Sequence, residues 1–352
     1  HVFGVVKGIR DDQEYRKQDY IKYARLYSNM ELLGFYGTQF VRPAATPRTT
    51  DRITLNVCKS CVDTSSAKIA KNKPRPLFLT NEGNFTQQSR SKKLTKYMEG
   101  LFDEMDFYTK MAKMYTAGAV LGTGVIKFYK DSENKRICAE HVLTDEIIVD
   151  DTEGMYGFPR QLHQQKYISR DILLATFGDT PKKKQAIQSV KGGVDGETLR
   201  TAADVVKVIE SWHLPSGKDA GDGKHTVSIE NCTLMEETYE KDYFPFIFFR
   251  YAPRLLGFYG SGIIENIVGI QVEINLTLMN IQKAQRLVSV PRVAIENSSM
   301  VNSQHISNEF GSILKYTGTP PIFNTPGAMP SEVYQHLWNL YEKAFEIEGI
   351  SQ

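Results

Sequence analysis

The sequence predicts an α+β protein: helices open the chain, short strands dominate its middle, and a long helix, a small β module and a second helix close it. Three observations carry this reading. Residues 125–250 break into short runs rich in Val, Ile, Tyr and Phe, punctuated by polar turns, as strands are. The stretch "GSGIIENIVGIQVEINLTLMNIQKAQRL" (260–287) keeps helical spacing of its apolar residues without a proline. "PSEVYQHLWNLYEKAFEIEG" (330–349) repeats that spacing after a turn-rich interval.

Taken in order, residues 10–33 read as a helix, with Tyr20, Tyr23, Ala24, Tyr27 and Leu32 near helical spacing. "VRPAATPRTT" (41–50) is a linker, having two prolines and no periodicity. A helix over 51–70 must stop before "KPRP", because proline lacks the amide donor and clashes with the preceding turn. "PLFLT" (76–80) reads as a short strand and "NEGN" as a turn. Helices follow over 86–102 and 104–120, and the second runs into "AGAVLGTGVIKFYK". Its glycines, 118, 122 and 124, lead from a helix into a strand, the reverse of a phosphate-binding loop, so they read as close helix–strand packing. "VIKFYK", "RICAEHV", "EIIVDD" and "RQLHQQKYI" are strands. "SRDILLATFG" is a helix with Ser169 as N-cap, and "PKKKQ" is a solvated surface. "VVKVIESWHL", "HTVSIEN" and "FPFIFFRYAP" complete the strand series.

Composition narrows the function classes. With 352 residues, 41% hydrophobic and 24% charged, the chain can bury a sizeable core, and the length suits two or three domains. A formal net charge of +2 argues against a protein that coats nucleic acid through bulk charge. No run of 18 apolar residues exists to cross a bilayer, and the opening residues lack a signal core. A start without Met and an end just after a helix suggest a piece of a longer product. The four cysteines, Cys58, Cys61, Cys138 and Cys232, are too few for a disulfide framework and point to a reducing compartment. Cys58 and Cys61 have CxxC spacing but fall in a helical pattern; a zinc site would need Cys138 and His141 as well, and buried thiols are the simpler reading.

No nucleophile elbow, Walker loop, HExxH or dinucleotide fingerprint is present, and no two histidines have ligand spacing. His213, beside Trp212 on a strand, reads as an ordinary satisfied histidine. The acidic group Asp145, Glu146, Asp150, Asp151 and Glu153, with His141, supports one alternative: a metal-dependent enzyme of mixed fold. Acidic turn residues explain the same cluster.

The long helix raises a different question. At 1.5 Å per residue, residues 262–287 would run about 39 Å. Ile263, Ile267, Ile270, Ile274, Leu278 and Ile281 form one apolar stripe; Ile264, Val268, Val272, Leu276 and Met279 form a second. Asn266, Glu273, Thr277, Asn280 and Ala284 form a polar strip. Two stripes need two partners: either one globular core surrounds the helix, or the first stripe packs against the same helix of neighbouring subunits in a ring, with the polar strip facing a channel or solvent. After it, "PRVAIE" and "SILKYT" read as strands. In the closing helix Ser331 suits the cap, Glu332 the first turn and Gly349 the stop, with Val333, Leu337, Leu340, Tyr341 and Ala344 as its stripe.

"NVCKSCVDTSSAKIAKNKPRP", "AVLGTGVIKFYK", "GFYGSGIIENIVGIQVEIN" and "EGIS", in this order of elements, resemble the portal (connector) proteins of tailed bacteriophages, especially the short-tailed ones, over about residues 40–352. The resemblance implies an N-terminal helix and linker over 1–50, a wing over 51–259, a first stem helix over 260–288, a clip over 289–329 and a second stem helix over 330–352. The channel loop and crown of that family would lie beyond the residues given. It further implies a homo-oligomeric ring, a dodecamer, at one capsid vertex of the virion, assembled in the host bacterial cytoplasm. Its partners would be the terminase large subunit, a tail adaptor protein, capsid and scaffolding proteins, and double-stranded DNA passing without sequence specificity. It implies neither catalysis, cofactor, metal nor membrane. On this reading Asn266, Glu273, Thr277 and Asn280 approach the channel, where a wall poor in cations would not grip phosphates. Lys283 and Arg286 would pair with acidic neighbours, and Arg292, Glu296, Lys315 and Tyr316 would make clip contacts. An adaptor or another head–tail assembly protein is a further alternative, though adaptors are shorter.

Overall fold

The computed structural model describes residues 1–29, 54–80, 83–131, 134–192, 204–217, 220–289, 292–294, 322–324 and 329–350. The linker 41–50, the expected strand "SILKYT", Glu296, Lys315 and Tyr316 lie outside the described residues. The described residues fall into two compact units. One takes those of His1–Pro47, Asn56–Val268 and Ile347–Gln352; the other takes those of Arg48–Leu55 and Gly269–Glu346. The fold is mixed α+β, as expected.

The first unit opens with α1 (Val2–Asp12) and α2 (Glu14–Tyr27), where the sequence had suggested one helix from residue 10. Val6 and Ile9 form the buried stripe of α1. The break falls at Gln13 (φ −104°, ψ 17°), whose buried Nε2 donates to the carbonyl of Val149 at 2.8 Å. Helix α3 (Val57–Ala70) begins later than Asp51 because Asn56 caps it. The Asn56 Oδ1 accepts from the Lys59 amide at 2.9 Å, while its Nδ2 donates to the Leu26 and Tyr27 carbonyls at 2.9 and 3.2 Å.

"PLFLT" is not a strand. Pro74 and Pro76 remove two donors, and no ladder forms. The segment instead lies along α4 (Phe85–Glu104), where Ser91 Oγ donates to the Phe78 carbonyl and the Phe78 amide to Thr95 Oγ1 at 3.4 Å. A reciprocal box opens α4: Asn84 Oδ1 accepts from the Gln87 amide and Gln87 Oε1 from the Asn84 amide, both at 3.0 Å. Helix α5 (Phe107–Leu121) ends at Gly122.

The strands are β1 (Thr123–Asp131), β2 (Arg136–Val142), β3 (Ile147–Ile148), β4 (Gln161–Ser169), β5 (Val205–His213), β6 (Lys224–Ile229), β7 (Cys232–Thr238) and β8 (Phe246–Arg250). All pairings are antiparallel, in a three-stranded sheet β2-β1-β8 and a five-stranded sheet β3-β4-β5-β6-β7. "EIIVDD" shrinks to two residues, and β7 was not foreseen, since "CTLMEET" has little apolar content. Helices α6 (Arg170–Phe177) and α7 (Pro181–Ser189) join β4 to β5. Ser169 stands at the cap of α6 without a side-chain cap bond. The lysines of "PKKKQ" lie on the solvent side of α7, whose Ile187 is buried.

Period-2 alternation sets the layers. On β1, Val125 enters a core shared with Leu162, Trp212 and Phe246, while Ile126 faces Met111 and Met114 of α5. On β5, Val206 and Val208 join Leu173 and Ile187 of α6 and α7, and farther along that face come Glu210 and Trp212. The opposite face carries Ile209, covered by Val6 and Ile9 of α1. The glycine-rich passage from α5 into β1 is close packing, as its order suggested. Gly122 has φ +86°, and a Cβ there would strike the Gly260 carbonyl. A Cβ on Gly118 would sit 2.6 Å from the Phe249 ring.

The second unit holds most of α8 (Ile263–Ser289), an antiparallel pair of β9 (Arg292–Ala294) with β10 (Ile322–Asn324), and α9 (Ser331–Ile347). "PRVAIE" contributes the three residues of β9, and its partner β10 was not foreseen. Ser331 is the first helical residue of α9, and Gly349 adopts φ +63° after its end. The Trp338 and Tyr341 rings stack at 5.6 Å on α9.

Candidate functional site

Helix α8 separates its faces more sharply than the sequence did. Of the residues expected to pack between subunits, Ile263, Ile267, Ile274 and Ile281 are buried within the single chain, and Ile270 and Leu278 are half-buried. The four buried side chains are covered within the single chain, and Ile270 and Leu278 are the members of this stripe that keep exposed area. Among the described side chains of α8, the exposed large apolar ones are Leu276 (44%) and Met279 (36%), both of the second stripe. Of the four residues expected on the channel side, Asn266, Glu273 and Asn280 are exposed, whereas Thr277 is buried. Thr277 is covered because 100° per residue puts it at the edge of the first stripe. Asn266 Nδ2 donates to Glu348 Oε1 at 3.1 Å. Lys283 is exposed, and Arg292 belongs to β9.

The acidic cluster is spread over structural partners. Asp145 pairs with Arg10 at 2.8 Å and Asp151 with Arg16 at 2.8 Å. Asp150 Oδ1 accepts from the Thr152 and Glu153 amides at 2.7 and 3.1 Å, closing a turn. Glu146 accepts from Gln164 Nε2 at 2.9 Å, and burial raises its pKa. Among the described residues no three His, Cys, Asp or Glu side chains converge as metal ligands would. His141 does not join the cluster; it stands on β2, opposite Ile126 of β1. A cavity of about 390 Å³ does bring Asp150 and Glu153 beside His163. The His163 Nδ1 lies 2.7 Å from Ser211 Oγ, and burial lowers its pKa to about 4, so the ring is neutral. Cys58 and Cys61 are buried in α3; burial first, then the neighbouring Cys61, pushes Cys58 up to about 12, which keeps it a thiol.

A line of charge that sequence reading missed crosses from one sheet to the other. Lys127 of β1 sits on the apolar face beside Val125, with its Nζ 2.5 Å from Glu210 Oε2 and 3.2 Å from Gln164 Oε1. Glu210 Oε1 lies 2.9 Å from His225 Nε2, and His225 Nδ1 lies 2.7 Å from Glu237 Oε1. The Trp212 ring covers the line, stacked on His225 at 5.0 Å and 4.8 Å from the Lys127 ammonium. The signal was available: a lysine where strand alternation calls for a core residue needs a buried acid.

Burial opposes protonation of His225, but its hydrogen bonds to Glu210 and Glu237 outweigh it and raise the pKa above 6.5. A raised folded-state pKa adds stability that is fully present below about 6.5 and is lost as pH rises through the folded value. The denaturation midpoint is therefore expected to fall as pH rises above 6.5, and His225→Gln to flatten that part of the curve. An unchanged slope in the variant would remove His225 as the cause. His163, with its lowered pKa, acts in the opposite sense below about 6.5, so the comparison is made above it.

Near α2 lies an open cleft of about 430 Å³, lined by Tyr15, Arg16, Asp19, Tyr23, Met155 and Leu256 among others. Arg16 lies over the Tyr259 ring at 4.2 Å, and Arg254 pairs with Glu265 at 2.6 Å.

No protein-family model matches this chain, and no curated protein matches it. No helix of the described residues is long and apolar enough to cross a membrane.

Proposed function

We propose that this chain is a portal protein of a short-tailed bacteriophage: a ring at one capsid vertex through which the terminase drives DNA in and through which DNA later leaves. The observation that supports it best is the sequence of elements after the mixed α/β region. A 27-residue helix is followed by a short antiparallel β pair and then by a 17-residue helix. Because β9 follows α8 and β10 precedes α9 in an antiparallel pair, the chain reverses between the helices, as a stem and clip require.

The faces of α8 fit this role. Asn266, Glu273 and Asn280 are exposed and carry no cation, so a wall of such residues would neutralise few phosphates and let DNA slide. Leu276 and Met279 remain exposed for a neighbour. A tail adaptor, the terminase, and capsid and scaffolding proteins are the partners this reading calls for, with Arg292, Glu296, Lys315 and Tyr316 as clip contacts.

Electron microscopy of the purified protein, with averages viewed down the symmetry axis, tests the reading. Closed rings with a central hole are expected, and compact monomers at high concentration would overturn it. In the same assay Leu276→Glu with Met279→Glu is expected to abolish rings while changing the monomer's unfolding free energy by no more than about 0.5 kcal/mol, as at ordinary surface positions.

A further inference from the structure

Two surfaces of the first unit complement each other but belong to different places in the fold. The first is an arm made of residues 71–80 and α4. Those residues carry seven Lys and Arg, six of them outside any ion pair among the described residues, against the acids Glu99, Asp103 and Glu104. Among the described residues the arm's one ion pair is a long one, Arg75 to Glu99 at 3.9 Å. Beside Arg75, Leu77 and Leu79 are 71% and 82% exposed. Helix α4 buries only Ser91 and Leu101, so its cationic face is left to solvent. Leucines at such exposure in a cationic segment suit an acidic, apolar protein surface better than a phosphate backbone.

The second surface is the cleft beside α2. Within it Asp151 is taken by Arg16 and Glu265 by Arg254, both through short ion pairs. Asp19 is half-buried and makes no ion pair among the described residues, and it stands with the Tyr15 and Tyr23 rings in one cavity. A carboxylate that shares a cavity with tyrosine rings can receive a cationic side chain. The rim is apolar: Leu255 and Leu256 are 98% and 57% exposed, and the Gly257 amide ties this loop to the Met155 carbonyl at 2.8 Å. A volume of about 430 Å³ accommodates a long side chain with part of its neighbour.

We infer that the cleft receives the arm of a second copy of this chain, with Arg75 entering beside Asp19 and Leu77 and Leu79 lying on Met155, Leu255 and Leu256. The occupant follows from charge and shape: the chain itself carries a basic segment with two exposed leucines, and a leucine-rimmed cleft whose Asp19 makes no ion pair among the described residues. Such a contact is head-to-tail, since each copy offers its arm to one neighbour and its cleft to the other, and head-to-tail contacts close into rings. The proposal rests on the ring reading for its closure, but its surfaces are testable without rings.

A labelled peptide of residues 71–80, KNKPRPLFLT, is titrated onto the full chain and followed by anisotropy. Saturable binding is expected. It should weaken at least about tenfold with Asp19→Lys in the protein or Arg75→Glu in the peptide, the loss of one well-placed charge pair. Leu256→Ser, at an exposed position, gives a second cleft variant should the first misfold. Independently, an arm variant (Arg75→Glu, Leu77→Ser, Leu79→Ser) and a cleft variant (Asp19→Lys, Leu256→Ser) should each fail to assemble alone and should form one-to-one pairs when mixed. No peptide binding, or binding indifferent to Asp19, overturns the contact, as does capture of duplex DNA by the arm with no peptide bound. Rings that persist in both variants overturn the contact and leave the portal reading intact. Peptide binding by a chain that never forms rings supports the contact and overturns the portal reading.

Discussion

Lys127→Met is expected to lower the unfolding free energy by about 3–5 kcal/mol, the cost of leaving one member of a buried ion pair uncompensated. The side chain of Lys127 is 9% exposed and that of Glu210 is 22% exposed, so water cannot replace the lost ammonium fully. Burial lowers the Lys127 pKa despite Glu210, which marks how far the site is from water. Glu210 shows the reverse balance: burial would raise its pKa, but hydrogen bonds to His225 and Lys127 bring it below the ordinary value. The contribution of Glu210 is present above about pH 4.5 and is lost as pH falls through its depressed folded value. Replacing Lys127 and Glu210 together by methionine and leucine should recover most of the loss, because removing both charges leaves neither exposed to an apolar core. Urea denaturation of the two single variants and the double variant measures this. A double variant as unstable as the sum of the singles would mean that the pair does not couple the sheets.

Gly124→Ala is expected to cost more than about 4 kcal/mol and to reduce the soluble yield sharply, the range reserved for backbone collisions and broken cores. A Cβ at Gly124 would overlap the carbonyl of Met114 on α5, and backbone atoms cannot step aside as a side-chain tip can. Gly8→Ala is the control. It lies in α1 with nothing within 4 Å of the added carbon, and should gain about 0.5–1 kcal/mol from helix propensity alone. Equal midpoints for the two variants would show that the α5–β1 joint is loose enough to admit a methyl group.

What the sequence disclosed and what it hid divide along a physical line. Long elements with an apolar period were legible: β1, β4, β5, α8 and α9 fall close to where their patterns put them. So was the role of the three glycines, because the order helix–glycine–strand excludes a phosphate loop. Elements whose sense depends on a distant partner were not. Residues 76–80 have strand residues but no free donors at Pro74 and Pro76, and only the Ser91 and Thr95 hydroxyls of α4 explain their course. Strand β7 is polar enough to read as a turn, yet it completes a sheet through its register with β6. On α8 the spacing found both apolar stripes, but spacing alone does not tell which stripe the chain covers itself. The Lys127–Glu210–His225–Glu237 line joins residues from four strands, and no local motif announces it.

Gln271 supplies a last consequence. Its side chain is buried, and its Nε2 donates to the Leu55 carbonyl at 2.8 Å, a partner 216 positions earlier in the chain. During synthesis Leu55 therefore leaves the ribosome long before the helix that binds it. Asn266 waits similarly for Glu348, 82 positions later. Neither unit is a continuous stretch of chain, so neither completes its hydrogen bonding as it emerges. Long loops must close before these contacts form, which slows completion of the fold and leaves apolar surface open in the interval.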